Sequence, residues 1–331
     1  MQYPKYHTAD LGSLKFLVTG GAGFIGSHIV EYLLLHHAAK VRVMDNLSTG
    51  SEANLETFRY HPSFEFIQGD IRDAGICRQA VKGMDYVSHQ AALGSVPRSV
   101  TDPVTTNAVN IGGFLNMLVA ARDEGVSRMV YAASSSTYGD HQELPKVEHR
   151  TGEPLSPYAI TKKVNELYAS VFSSLYGFHT IGLRYFNVFG PRQNPQGPYA
   201  AVIPLYIQAA LLNEPAIIFG TGDTSRDFTY VANAVQANIK AMLLPELKSH
   251  EVVNIALGES TSLLQLWDYI CAITGCNIPP VFRQARKGDV LHSLASIDKA
   301  NRLIGYDPQI RIRHGLKMAV DWYKEALHPA R

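Results

Sequence analysis

The 331-residue chain predicts an α/β fold: a doubly wound parallel sheet followed by a smaller, less regular α/β unit. Three observations carry that expectation. Apolar, β-branched runs alternate with amphipathic helical stretches as far as Phe189. A glycine-rich turn joins the first run to the first helix. Beyond Gly190 the alternation gives way to a turn-rich crossing and shorter, uneven segments.

Six β-type runs are expected in the first part, at 15–19, 41–45, 64–67, 86–89, 128–132 and 180–184. Helices are expected at 26–36, at about 104–124 and from 156 to about 176, where apolar residues recur at helical spacing. The segment 190–198, rich in Gly, Pro and Asn, reads as a linker into the second unit. There the expected strands are 217–219 and 252–255, and the expected helices 202–212, 231–244, 263–274 and 313–325. The division predicted is therefore a first domain at 1–189 and a second at 190–331, with segments near 228–256 packing back on the first.

Composition narrows the class. With 46% hydrophobic residues the chain can bury a sizeable core. Its 30 Lys and Arg against 29 Asp and Glu provide no global field for nucleic acid or an anionic membrane surface. No apolar stretch of about 18 residues stands out as a membrane helix, and the polar start 1–15 lacks a signal-peptide core. Cys77, Cys271 and Cys276 cannot pair evenly and show no metal-ligand spacing, so they read as buried small hydrophobes in a reducing, cytoplasmic setting.

Thr19-Gly20-Gly21-Ala22-Gly23-Phe24-Ile25-Gly26 ends a predicted strand and opens a predicted helix. Gly20, Gly23 and Gly26 suit a tight turn, backbone approach to a pyrophosphate and close helix packing, as in a Rossmann-type dinucleotide site. Asp45 closes the next strand, where a carboxylate can accept from adenosine ribose hydroxyls. Asn46, Ser48, Thr49 and Gly50 follow with no arginine to receive a 2′-phosphate, which favours NAD over NADP. After the third strand, Asp70 with Ile71 is placed to reach the adenine amine, while Asp73 reads as a helix N-cap.

Tyr158 and Lys162 lie four apart in a predicted helix and share a face. Oxidising a secondary alcohol needs a base, and a free phenol with a pKa near 10 is too weak at neutral pH. A lysine charge about 5 Å away at an effective dielectric of about 20 is worth roughly 3 kcal/mol, enough to bring the phenol toward the working range. Ser134-Ser135-Ser136 follows the fifth strand, at the carboxyl end where doubly wound folds place their chemistry. A hydroxyl there can hold a substrate oxygen against the phenol.

These residues resemble the extended short-chain dehydrogenase/reductase family over nearly the whole chain. The segments 89–99, 134–140, 156–162 and 184–190 resemble more narrowly the bacterial UDP-N-acetylglucosamine and UDP-N-acetylglucosaminuronic acid C4-epimerases of surface-polysaccharide pathways. The resemblance implies Tyr158 as base, Lys162 tuning it and holding the nicotinamide ribose, and Ser134 steering the substrate hydroxyl. It implies further that Ser135 and Ser136 line the sugar pocket, that Gln90, Ala91 and Ala92 line the cofactor site, and that Asn107 is a structural asparagine beneath the active site. Tyr185 would sit beside nicotinamide and Asn187 beside the substrate phosphate. In the second unit it implies Ala201 and Val202 facing uracil, Phe219 against the base, Arg226 and Arg286 on the pyrophosphate, and Asp289 on the uridine ribose.

Two details bear on the reaction. Dehydratases of the family carry acids where this chain has Ser135 and Ser136, which disfavours elimination. Ser293 stands where glucose-selective epimerases place a bulky tyrosine, leaving room for an N-acetyl group. Pro191 stands where the resemblance favours an arginine, and the neutral sugar and the uronic acid both stay open. The activity implied is epimerisation through a 4-keto sugar with NAD retained. A UDP-glucose epimerase, a dehydratase and a non-catalytic NAD-binding scaffold are the alternatives. A homodimer is implied through helices 104–124 and 156–176, in which Phe114, Leu115, Leu118, Leu167 and Phe172 are either interface or core.

Overall fold

The computed structural model describes residues 3–195, 200–284 and 291–327. Along the first part run β1 (Lys15–Thr19), α1 (Phe24–Leu35), β2 (Lys40–Asp45), β3 (Phe64–Gln68), α2 (Ala74–Val81) and β4 (Tyr86–His89). Next come α3 (Val96–Thr101), α4 (Pro103–Asn107), α5 (Phe114–Asp123), β5 (Arg128–Ser134), α6 (Pro157–Tyr176) and β6 (Thr180–Tyr185). The second part holds β7 (Val188–Phe189), α7 (Val202–Leu211), β8 (Ile217–Phe219), β9 (Ser225–Arg226), β10 (Thr229–Tyr230) and α8 (Val231–Met242). It continues with β11 (Glu251–Ile255), β12 (Thr261–Ser262), α9 (Leu263–Thr274), β13 (Val281–Arg283), α10 (Asp298–Ile304) and α11 (Ile312–Leu327).

The chain is Rossmann-type. Seven parallel strands lie in the order β11-β6-β5-β4-β1-β2-β3. Period-two alternation divides each strand between two cores. Phe16 and Val18 pack with Ile29, Val235 and Ile255 on the α1 and α8 face. Leu17 between them packs with Phe114, Met129 and Phe172 on the α2, α5 and α6 face. A third cluster, built on Phe189, Tyr206, Tyr230, Trp267 and Leu316, fills the second part.

The helix expected at 104–124 is interrupted by a π turn at Ala108–Gly113. A Cβ on Gly113 would come within 2.5 Å of Ile71, so the close approach needs glycine there. Taken as one run, Pro103–Asp123 does have the length and apolar composition of a membrane-crossing helix, contrary to the sequence reading. It is packed against α2 and α6 inside the fold. α6 starts as predicted: Ser156 caps it by accepting from the N–H of Ala159 at 3.1 Å, and Pro157 occupies the first turn. Of the five residues named for interface or core, Phe114, Leu118 and Phe172 are buried within the chain, whereas Leu167 is 58% exposed.

Candidate active site

β1 and β4 are neighbours, and the chain winds away from them in opposite directions. At this switch point a cleft of about 870 Å³ opens over the carboxyl ends of the strands. Its wall on the β1 side holds the glycine loop from Gly20 to Gly26, with Phe24 and Ile25, together with Asp45, Asn46, Ser48, Thr49, Gly50 and Ile71. On the other side stand Gln90, Ala91, Ala92, Ser134, Ser135, Tyr158, Lys162, Tyr185 and Asn187. The cleft also includes Ser95, Arg98 and Val109, which the sequence reading gave no role.

The glycine loop is built for close approach. Gly20 has φ +67°, and a Cβ on it would lie 2.7 Å from the backbone N of Ala91. A Cβ on Gly26 would lie 2.2 Å from the Gly20 carbonyl oxygen. The Asp45 carboxylate accepts from the N–H of Ala22 at 3.0 Å and of Leu47 at 2.8 Å, which ties the loop to β2. Burial raises this carboxyl above its ordinary range, and those two bonds oppose the shift. A glycine cradle closed to any Cβ, leading into a helix N-terminus beside a carboxylate, fits a dinucleotide's pyrophosphate and ribose.

At the other end, Ser134 is the last residue of β5 and Tyr158 stands in the first turn of α6. The Ser134 hydroxyl faces the Tyr158 phenol closely enough to pull its pKa down. Ser134 Oγ also accepts from Ser136 twice, from its N–H at 3.1 Å and from its hydroxyl at 2.9 Å. Lys162 Nζ donates to the Ala132 carbonyl at 2.7 Å and lies 5.8 Å from the centre of the Tyr158 ring. Burial pushes Lys162 down to about 8 and lifts the Tyr158 phenol above 10, with the Ser134 hydroxyl pulling it back. The net lowering expected from the lysine is not seen within the chain, where desolvation dominates at Tyr158.

The profile of the NAD dependent epimerase/dehydratase family matches residues 16–256. The chain belongs to that family. NAD is accordingly its cofactor. It is 39% identical to a putative UDP-glucose 4-epimerase of Methanocaldococcus jannaschii, over 93% of this chain and 98% of the relative. Among solved structures, a UDP-N-acetylglucosamine 4-epimerase from Methanobrevibacter ruminantium M1, in complex with UDP-N-acetylmuramic acid, is similar at 38% identity and a TM-score of 0.90. That match covers 95% of this chain and 99% of the other. A UDP-glucose 4-epimerase of Thermotoga maritima, with UDP-glucose, is similar at 36% identity and a TM-score of 0.89, covering 95% and 100%.

Two residues expected in the cofactor site of this epimerase/dehydratase member are not part of the cleft wall. The Asp70 carboxylate is engaged by Arg72, which holds it down at about 2, and by Asn46 at 3.0 Å; it is not part of the cleft wall. Asn107 is exposed on α4. The buried asparagine is Asn110, within the π turn, which bonds both the N–H and the carbonyl of Leu93 and donates to Thr161. A register shift of three, one turn along the helix, separates the two.

On the substrate side, Ser136 turns to Ser134 and is outside the cleft wall. Ala201, Val202, Phe219, Arg226 and Ser293 also lie outside it. Arg226 and Ser293 are brought together nonetheless. The N–H of Ser293 donates to Ser225 at 3.1 Å, and Arg226 donates to the carbonyls of Ser225 at 2.9 Å and Leu291 at 3.2 Å. Arg286 and Asp289 fall outside the described residues.

The loop after Gly190 reaches the cleft through Gln193 and Asn194, and it is clamped to α1. His28 Nε2 donates to the Pro191 carbonyl at 2.9 Å, its Nδ1 accepts from Tyr3 at 2.6 Å, and Glu31 pairs with Arg192. Arg192 adopts φ +64°, a conformation a non-glycine residue holds only against a restraint.

Proposed function

We propose that this chain is a UDP-sugar 4-epimerase acting on a UDP-N-acetylhexosamine, or its uronic acid, with NAD kept bound through the cycle. The observation that carries the reading is the convergence of Ser134, Tyr158 and Lys162 at the carboxyl end of β5, with serine at both positions 135 and 136.

Bound NAD would supply the reversible hydride acceptor for the sugar's C4. The chain's own groups move the proton. Tyr158 as phenolate accepts the proton of the C4 hydroxyl, and Ser134 holds that oxygen beside the phenol. Lys162, pinned to Ala132, supplies positive charge beneath the phenol and a donor to the nicotinamide ribose. The positive nicotinamide ring would add to that charge and oppose the upward pull of burial on Tyr158. The 4-keto sugar, held by its nucleotide, turns over and takes hydride and proton back on the opposite face. With Ser135 and Ser136 in place of acids, neither of those positions offers a carboxyl to drive loss of water.

The resemblance, which puts Ser293 where glucose-selective epimerases carry a tyrosine, supports an N-acetyl sugar, as does the bound UDP-N-acetylmuramic acid of the Methanobrevibacter relative. The names of the Methanocaldococcus and Thermotoga relatives favour UDP-glucose as a second reading. Incubation with UDP-GlcNAc, its uronic acid or UDP-glucose, without added cofactor, separates them by the anomeric NMR signals of the galacto product. Fastest turnover of UDP-glucose would sink the N-acetyl preference, and no product from any sugar even with NAD would sink the epimerase.

We propose a second copy of this chain as partner. Ile160, Leu167, Val171 and Leu175 are 50–68% exposed along one side of α6, and Val100 and Val104 are exposed on α3 and α4, which pack against α6. Leu167→Glu with Val171→Glu should halve the mass seen by light scattering; an unchanged mass would rule that face out.

A further inference from the structure

Beneath the catalytic end of the cleft lies a closed ring of hydrogen bonds that none of the roles above uses. Asn238, on α8 and fully buried, donates from Nδ2 to the Tyr185 hydroxyl at 2.7 Å. Tyr185 donates onward to Gln90 Oε1 at 3.1 Å, and Gln90 Nε2 donates back to Asn238 Oδ1 at 3.0 Å. Ser88, also fully buried, donates to Asn238 Oδ1 at 3.2 Å and accepts from Gln90 at 3.0 Å. The second Asn238 proton goes to the Ala234 carbonyl at 2.8 Å. Each member has one consistent donor and acceptor assignment. Flipping Asn238 would set its Nδ2 against the Gln90 donor, and flipping Gln90 would set its Oε1 against the Asn238 acceptor; closed rings of this kind polarise and stiffen their members.

Its position decides what it acts on. Gln90 follows β4 and Tyr185 ends β6, and both face the cleft. The strand between them in the sheet is β5, and Tyr185 pairs with Ser134 at its end. The ring therefore straps the two strands that flank β5, from the α8 side. The Tyr185 hydroxyl already donates once and accepts once within it. Burial holds that phenol well above 10.

We propose that Asn238 is a positioning residue for the bound cofactor. Through the ring it fixes Gln90 and Tyr185 as a rigid wall of the nicotinamide end of the cleft and holds the Tyr185 proton inside the ring. Tyr158 is left as the phenol that exchanges protons with the sugar. The proton assignment rests on the epimerase reading above; the effect on cofactor binding does not.

The test uses the full chain. In Asn238→Leu the dissociation constant for NAD, measured on protein stripped of nucleotide, should rise about tenfold or more, the scale of two lost buried bonds. The KM for the UDP sugar should stay within about twofold. Unchanged NAD affinity, with only a lower melting temperature, would make Asn238 a structural residue and overturn the proposal. Tyr185→Phe guards against a variant that fails to fold, since it opens the hydrogen-bond ring by removing one hydroxyl and keeps the aromatic side chain. It should weaken NAD binding in the same direction and leave the pH profile of kcat in place. A profile that moves would mean Tyr185 exchanges a proton in turnover, which also overturns the proposal. If the wild type binds NAD but epimerises none of the three sugars, the substrate reading fails while the NAD measurement still decides the role of Asn238.

Discussion

Ser136 fills both acceptor positions of the Ser134 hydroxyl, one with its backbone N–H at 3.1 Å and one with its own hydroxyl at 2.9 Å. With both lone pairs taken, Ser134 can only donate, and its proton is directed at Tyr158 or at the substrate oxygen beside it. Ser136→Ala removes one of the two restraints. We expect kcat to fall about fivefold, the worth of roughly 1 kcal/mol, with NAD content unchanged. Ser134→Ala should cost about a hundredfold or more. Equal losses in the two variants would mean that Ser136 acts directly on the sugar. Rates by NMR of the sugar pool, with nucleotide released on acid precipitation, settle both points.

The state of Lys162 should be visible in stability. Burial brings its pKa to about 8, below the 10.5 of an exposed lysine. Between those values the unfolded chain holds a proton that the folded chain lacks, so this group makes stability rise as pH climbs from 8 toward 10.5. Lys162→Met should lack that rise. Melting temperatures of NAD-free protein between pH 7.5 and 9.5 test it, and parallel curves for the two proteins would show that Lys162 is not desolvated in solution.

Acid acts through other groups. Burial holds His28 and His89 down at about 3, against 6.5 for a free imidazole. Their contribution is fully present above 6.5 and is lost as pH falls below it, because the unfolded chain takes up the protons first. His89, which bonds Thr19 at 2.8 Å, sits at the switch point itself. We expect His89→Asn to flatten the acid limb of a urea-unfolding series between pH 6.5 and 4. An unaltered slope would move the cause to the carboxylates.

How much of this was legible in the sequence depends on how local each cause is. Gly20 and Gly26 could be read because the constraint that selects glycine arises inside one turn. The fifth strand was placed but ended two residues early, since Ala133 and Ser134 resemble the polar loop that follows. Asn107 and Asn110 lie one turn apart, and only the π turn and Leu93 decide which is buried. At Asp70 the pairing with Arg72, two residues away, is a side-chain contact that the strand-end position alone does not announce. The bonds from Asn238 to Gln90 and from His28 to Pro191 join residues separated by 148 and 163 positions, and no spacing rule anticipates them.

The Glu31–Arg192 pair gives a prediction about the substrate loop. Both side chains are largely buried, so removing one charge strands the other at a cost of about 3 kcal/mol or more. Glu31→Gln should lower the melting temperature and raise the KM for the UDP sugar severalfold, because Gln193 and Asn194 follow Arg192 into the cleft. A stability loss with KM untouched would show that the loop keeps its place without the clamp.

The outermost strand of the sheet comes from late in the chain. β11 covers the flank of β6 and delivers Val253 and Ile255 to the same core as Phe16 and Val18. A fragment ending at Phe189 would hold every candidate proton-transfer group yet present a bare parallel edge and a gap in that core. On the ribosome, the nucleotide-binding half must persist in that unfinished form until Ile255 has emerged. Aggregation of nascent or truncated chains should therefore begin at β6, and the catalytic half cannot be cut out as a freestanding module.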